Sequence, residues 1–147
     1  MEKSVKGQLQ LSYGMIFSII LIIIFLGFAF YAIYKFFGIT DEMKVGKFKI
    51  DIQDDIDKMW KGGQGSQERS YNLPKKINAV CIQDDEYANL RFESDGYFEG
   101  VNLKHINLEK ILGNSEEYCI ENENGKVKLM LQMDYGETSV TILRQRG

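Results

Sequence analysis

Two cysteines are the residues of this chain whose type points most directly to covalent chemistry. Cys81 and Cys119 are the only cysteines among 147 residues. A disulfide between them would close a loop long enough to stabilise the folded chain by about 4 kcal/mol on the chain-entropy model. Two separate buried thiols are the alternative. Because disulfides persist mainly outside the cytosol, the choice between the two bears on where this part of the chain resides.

The other polar clusters do not match a catalytic or metal-binding pattern. His105 is the only histidine and has no His or Cys at ligand spacing, so neither a zinc site nor a Ser-His-Asp triad is expected. The aspartates of residues 51–57 lack the glycine of a calcium loop and suit a solvated helix face. Residues 84–86 are interpreted as a polar turn, and residues 62–66 lack the lysine of a phosphate loop. We predict no enzyme activity, no metal and no cofactor.

The charge is distributed unevenly along the chain. The whole chain has a net charge of −3. Residues 1–37 contain Glu2, Lys3, Lys6 and Lys35, so the remaining residues contain 15 basic and 20 acidic side chains, a net charge of −5. An acidic domain without a basic stripe argues against a nucleic-acid partner. We predict no small-molecule substrate either.

The segment from Met15 to Tyr34 is the strongest single signal in the sequence. Its twenty residues contain no charge, and thirteen of them are Ile, Leu or Phe. Twenty helical residues span about 30 Å, the thickness of the bilayer core, and these thirteen favour insertion by roughly 4 to 8 kcal/mol. A buried core helix and a cleaved signal peptide fit less well, because every face is apolar and no small-x-small cleavage site follows. We predict a transmembrane helix over residues 15–37, with the lipid bilayer as its partner.

The orientation of this span follows less directly from charge. A basic tail, residues 1–14, precedes the span, but Lys35, Lys44, Lys47 and Lys49 follow it closely, so the positive-inside rule does not decide. A short basic tail before a span is the usual signal-anchor arrangement, and paired cysteines favour an oxidising compartment. We therefore expect a single-pass protein of the cell membrane with a cytoplasmic amino terminus and its carboxy-terminal domain outside.

A second, amphipathic helix is predicted over residues 41–61. Gly38 allows the first helix to end, and Thr40 or Asp41 can cap a new start. Apolar residues then recur at helical spacing, and Gly62 with Gly63 forms a stop signal. The stripe does not keep a heptad, which favours packing on a sheet over a coiled coil. Its members are Val45, Phe48, Ile52, Ile56, Met59 and Trp60.

Beyond this helix the pattern becomes β. Residues 62–75 are predicted to be a glycine-rich linker and extended segment, and residues 76–147 an extracytoplasmic β domain. The fold class is therefore α+β, a long amino-terminal helix with a transmembrane half and an amphipathic half, followed by a small antiparallel sheet. Candidate strands cover residues 76–83, 87–93, 96–101, 117–122, 126–133 and 138–143, and residues 104–112 are ambiguous between strand and short helix.

Two turn signals predict the register of the last three strands. A turn at Asn124-Gly125 places Ile120 opposite Leu129, and a turn at residues 135–136 places Leu131 opposite Val140. Tyr118 and Ile142 complete one apolar face on which the amphipathic stripe can pack. In this register Glu121 faces Lys128, and Cys119 lies on the other face. A disulfide would then require the Cys81 segment to cover that other face.

Small residues in the apolar helix can let neighbouring helices approach closely. Gly14 and Ser18 lie four residues apart, and Gly27 follows further along. Such residues are enriched where membrane helices pack. They predict contact with copies of the same chain or with other membrane helices, if the span is more than a tether.

The order of these elements resembles that of archaeal type IV pilin-like proteins, which carry a class III signal peptide. The chain has a basic tail ending Lys6-Gly7-Gln8, a hydrophobic helix, an amphipathic continuation and an antiparallel sheet. The resemblance implies cleavage between Gly7 and Gln8 and a filament core made of hydrophobic helices. Two positions differ from the family: its Glu at mature position five is Ser12 here, and its Ser at position three is Gln10. The start of the span also resembles that of uncharacterised single-span archaeal proteins.

These features support two hypotheses from different classes. The first is a non-enzymatic surface protein, pilin-like in plan, whose helix anchors it or packs in an assembly. The second is a membrane-tethered extracytoplasmic module that binds a protein or a glycan. Loss of residues 1–7 distinguishes them, because a tether keeps its amino terminus.

Overall fold

One continuous helix, α1, begins the structure. The computed structural model describes residues 12–145, and α1 covers Tyr13–Gly62. The Ser12 carbonyl accepts from the amides of Met15 and Ile16 at its start, and Gly63, with φ of +79°, ends it. This continuous helix confirms the long two-part helix of the predicted fold class, but the new helix start considered at Thr40 or Asp41 after Gly38 is wrong. A glycine inside a helix costs only about 1 kcal/mol, which is less than the backbone hydrogen bonds that a break would remove.

The chain divides between Ile39 and Thr40 into two units. The described part of the first unit is the apolar half of α1, in which every residue from 13 to 39 is exposed. The second unit contains the rest of α1, the sheet and a short helix, α2, over Leu108–Leu112. The α+β fold class predicted from sequence is confirmed.

Six antiparallel strands form the sheet. Within residues 62–75, predicted as a glycine-rich linker and extended segment, the extended part is a strand of the sheet, β1, which the sequence did not predict as a strand. The strand predicted over residues 96–101 is wrong, because these residues contain only an isolated bridge from Val101 to Leu90. The segment β1 lacks an apolar run because its residues are mostly exposed at a sheet edge. The strands are β1 Gly65–Asn72, β2 Ile77–Gln83, β3 Leu90–Ser94, β4 Glu117–Glu123, β5 Lys126–Met133 and β6 Thr141–Arg144.

The strand β5 organises the sheet. One of its edges pairs with β1 along the whole length of both strands. Its other edge is shared, because β4 pairs with it only at Asn122 and Glu123, beside the Asn124-Gly125 turn, and β6 pairs with the rest. On its other edge β4 pairs with β2, and β2 also pairs with β3. This division of one edge between two strands is what sequence pattern did not reveal.

The predicted register is therefore right at one end and wrong elsewhere. The pair of Glu123 with Lys126 matches the predicted Asn124-Gly125 hairpin, but Ile120 lies opposite Val80. The second hairpin is shifted by two residues, so that Leu131 faces Ile142. A shift of two residues keeps the same side chains on the same face. The predicted pair of Glu121 with Lys128 is also wrong, since Glu121 lies opposite Ala79.

The core lies between the second half of α1 and the sheet. The predicted apolar stripe is confirmed for its first five members, each of which is buried, and Trp60 lies at the edge with 39% exposure. Phe48 is the centre of an aromatic group, with its ring 5.3 Å from that of Tyr71 and 5.7 Å from that of Phe92. The sheet supplies the facing side chains, which include Ile120, Val127, Leu129, Leu131, Met133 and Ile142.

Replacing Gly125 by alanine is expected to lower the free energy of unfolding by about 1 to 2 kcal/mol. Gly125 has φ of +86°, and an added Cβ would lie 3.2 Å from the Leu73 carbonyl oxygen. Gly136 is a matched control, because its φ is +85° and an added Cβ meets nothing within 4 Å. Urea unfolding of the full chain in detergent should show a larger loss for Gly125→Ala than for Gly136→Ala. Equal losses would contradict the role given to the close approach.

Candidate membrane-spanning and assembly site

The first half of α1 is long and apolar enough to cross a membrane. Its most apolar window of 18 residues has a mean hydropathy of 2.9, and none of it is buried inside the protein. Large apolar side chains such as Ile23, Phe25 and Phe28 are at least 63% exposed. Burial of such a surface is favourable by roughly 25 cal/mol per Å². By length and composition, this exposed apolar half of α1 could therefore span a membrane.

The helix does not place the three predicted packing residues on one face. Gly14 and Ser18 lie one turn apart and share a face, but Gly27 is nine residues after Ser18, which turns it by about 180°. The Ser18 hydroxyl donates to the Gly14 carbonyl at 2.8 Å, so it needs no partner from another helix. No Cβ contact within 4 Å would form at Gly27. The two small-residue positions can therefore contact two different neighbours.

The Cys81–Cys119 disulfide is present, and it joins neighbouring strands. Cys81 on β2 lies directly opposite Cys119 on β4, with the two Cα atoms 4.0 Å apart. The expectation that the Cys81 segment covers the opposite face of a three-strand meander is wrong. Instead, the edge of β4 that faces away from β5 pairs with β2. The bond therefore ties β4 to β2 within one sheet.

This disulfide bears on metal binding. Within residues 12–145, one group of three side chains has the spacing of metal ligands, namely Cys81, Glu93 and Cys119. Both sulfurs of that group belong to the disulfide, whereas a cysteine binds a metal ion as a free thiolate. Glu93 lies 4.0 Å from the Cys81 sulfur. In the disulfide-bonded form the two cysteines join β2 to β4.

His105 packs against an aromatic ring. Its imidazole stacks on the Trp60 indole with the ring centroids 3.8 Å apart and the planes inclined by 13°. The Asp57 carboxylate lies 4.0 Å from His105 Nε2, and the indole N–H donates to the Thr138 carbonyl at 3.0 Å. These contacts join α1 to two loops of the domain. His105 has a φ of 64°, so the stack holds a backbone conformation that is uncommon outside glycine.

The aspartates of α1 each have a different partner, and the predicted solvated face is only partly right, because Asp54 is 60% exposed but Asp55 only 14%. Asp51 pairs with Lys47, and Lys58 beside Asp54 lowers the pKa of that carboxyl through a hydrogen bond and its charge. Asp55 accepts from the Tyr71 hydroxyl at 2.7 Å. Burial, followed by this contact, raises the pKa of Tyr71 well above its ordinary value. The side chains do not converge on one point.

Two polar loops contain carboxyl groups whose pKa values are lowered by their hydrogen-bond partners. Backbone amides of Tyr87 and Ala88 donate to Asp85 and lower its pKa, which is the geometry of a polar turn. In the second loop, between β5 and β6, Asp134 and Glu137 both pair with Lys110 of α2. Gln132 and then Lys110 lower the pKa of Asp134, and Lys110 lowers that of Glu137. These ion pairs join α2 to the loop before β6 and are exposed.

The predicted processing site lies outside the described residues. Gly7 and Gln8 precede residue 12, where the described chain begins. Ser12, which stands where the pilin family has Glu, precedes the first residue of α1, and its carbonyl accepts the first backbone hydrogen bonds of that helix. Serine is a favoured residue at this position.

Comparison of the chain with protein-family models, with curated proteins and with solved structures finds no match. What this protein does must therefore be inferred from its own residues. The candidate site is the apolar half of α1, together with the disulfide-linked domain that continues from the same helix.

Proposed function

We propose that this protein is a non-enzymatic, single-pass membrane protein of the cell surface that acts as a pilin-like structural or assembly subunit. The observation that carries the proposal is one helix in two environments. Its apolar side chains are exposed over residues 13–39, and five later residues, from Val45 to Met59, belong to the core of the domain. An exposed apolar surface of this extent requires lipid or partner helices.

The continuity of α1 from its apolar half into the half that packs on the sheet supports a structural role. No linker separates the apolar half of α1 from the half that packs on the sheet. The apolar half therefore continues directly into the segment that contains Phe48, Ile52 and Ile56, which are at most 1% exposed. A second feature is the disulfide, which joins β4 to β2. A tether that only has to keep a module near a membrane needs neither feature.

The proposed location is the cell membrane, with the amino terminus inside and the domain outside. The disulfide supports this orientation, because cytosolic thiols are kept reduced. The short basic tail before the span supports it as well. In an assembly, the spans of several copies would pack together and the disulfide-linked domains would form the outer surface.

The proposal predicts that residues 1–7 are removed. The full chain is to be produced in an archaeal host that has the pilin-type peptidase, and its intact mass measured after extraction from the membrane. We expect the mass of a chain that begins at Gln8, and filaments on the cells by electron microscopy. Gly7→Val should keep the full mass and abolish filaments, because the resemblance implies a cut after the glycine that precedes Gln8.

Gly14→Val is the matched control, since it makes the same substitution seven residues beyond the cut. An added Cβ at Gly14 meets only the Ser12 hydroxyl oxygen, at 3.6 Å. This variant should be cleaved normally. An intact amino terminus in the unmodified protein, with no filaments, would overturn the pilin-like proposal and favour the tethered binding module.

A further inference from the structure

We propose that a cavity lined by lysines at one end of the domain binds the phosphate of an anionic lipid headgroup. The cavity has a volume of about 640 Å³, which is within the usual range for small-molecule sites. It lies between α1, the end of β1 and the Asn124-Gly125 turn. Four lysines line it, and we call it the lysine cavity: Lys44, Lys47, Lys75 and Lys126.

The charge of this cavity is opposite to that of the domain. Residues 38–147 have a net charge of −5, from 15 basic and 20 acidic side chains. The lysine cavity has four lysines and one carboxylate, Asp51, so its lining has a net charge of +3. Charges of one sign around a concave surface focus the local potential and attract an oppositely charged ligand.

Three of these lysines have no carboxylate partner within the described chain. Lys47 pairs with Asp51 at 2.6 Å. No ion pair within 4.0 Å involves Lys44, Lys75 or Lys126 among residues 12–145. Like charges that converge on one cavity repel each other, and an anion among them relieves that repulsion. Lysine is a common ligand for phosphate as a point charge.

The remaining lining suits the uncharged part of a headgroup. Phe48, Tyr71 and Leu73 are buried, with at most 6% exposure, and give the cavity an apolar wall. Ser70, Asn72 and Asn124 add polar groups that can bond to a phosphate or to a glycerol hydroxyl. A free phosphate ion would use the same lysines, so the test below separates the two sources of phosphate.

The sequence distance from the span favours a lipid as the source of the phosphate. Lys44 follows Phe37, the end of the predicted span, by only seven residues. Even a fully extended chain of seven residues reaches at most about 25 Å, which limits how far Lys44 can lie from the end of the span. The surface potential of an anionic membrane falls off within a Debye length of about 10 Å, so lysines that come this close to the headgroups are attracted to them. This inference rests on the proposed membrane anchoring, but not on filament formation.

The test uses the full chain in nanodiscs of phosphatidylcholine alone and of phosphatidylcholine mixed with phosphatidylglycerol. Amide hydrogen exchange is followed at residues 70–75 and 124–126. We expect slower exchange in the discs that contain phosphatidylglycerol, and loss of that protection in the Lys44→Gln/Lys75→Gln/Lys126→Gln variant. The matched control, Lys61→Gln/Lys104→Gln/Lys128→Gln, removes the same charge from lysines outside the cavity and should keep the protection.

Each other outcome overturns the inference in a recognisable way. Equal exchange in both kinds of disc would exclude an anionic headgroup. Loss of protection in both triple variants would show general attraction to the surface instead of a site. Equal protection by inorganic phosphate in phosphatidylcholine discs would assign the cavity to a soluble phosphate. Failure of the chain to enter discs would overturn the membrane anchoring itself, together with this inference.

Discussion

Reduction of the Cys81–Cys119 disulfide is expected to lower the free energy of unfolding of the domain by about 4 kcal/mol on the chain-entropy model, because the loop it closes is long. The two cysteines are separated by 38 positions. The loss is a large part of the 5 to 15 kcal/mol that is typical of a folded domain. Urea unfolding of the full chain in detergent, with and without a thiol reductant, measures this effect.

The double variant Cys81→Ala/Cys119→Ala serves as the control for the reductant. It should unfold at the same low urea midpoint in both conditions, since it has no disulfide to reduce. Cys81 has no exposed surface, so the double variant also loses some packing and should be slightly less stable than the reduced protein. An unchanged midpoint after a thiol assay has shown two free thiols would contradict the prediction.

Replacing Phe48 by alanine is expected to cost about 3 to 5 kcal/mol, the usual range for a large buried aromatic side chain. Phe48 is 1% exposed and makes edge-to-face contacts with Tyr71 and Phe92. The substitution leaves a cavity between α1 and the sheet. The measurement is again the urea midpoint of the full chain, and near-ultraviolet circular dichroism should show the loss of aromatic packing.

Ile50→Ala is the matched control on the same helix. Ile50 lies two residues after Phe48 and is 70% exposed, so its truncation should change the stability by no more than about 0.5 kcal/mol. A large loss for both variants would indicate a general effect on the helix. A small loss for Phe48→Ala would show that this half of α1 is not part of the core.

Local pattern was sufficient for the elements whose signal is periodic. The stripe from Val45 to Met59 repeats at the helical period, and each of its members is buried. The strand β5 was predicted with its exact bounds, because Val127, Leu129 and Leu131 alternate with polar residues. In both cases the burial of one face follows from neighbours in sequence.

Long-range pairing was not predictable in the same way. The strand β1 has a polar, glycine-containing sequence, and only its pairing with β5 makes it a strand. The sequences of β4 and β6 both suit the same edge of β5, and the structure divides that edge between them. The position of Cys119 opposite Cys81 follows from the pairing of β4 with β2, two segments that are far apart in sequence. The lysine cavity likewise joins residues 44–51, 70–75 and 124–126, which no local pattern connects.

The amino-acid sequence alone determined that the chain has an apolar helix long enough to span a bilayer, an amphipathic helix with one buried face, and a sheet that follows. These properties depend on the composition and periodicity of short segments, and the hydrophobic effect acts on them wherever the segment lies. Only the tertiary structure decided which strands are neighbours and which lysines share a cavity. Those choices depend on the competition of distant segments for the same backbone edge and the same core.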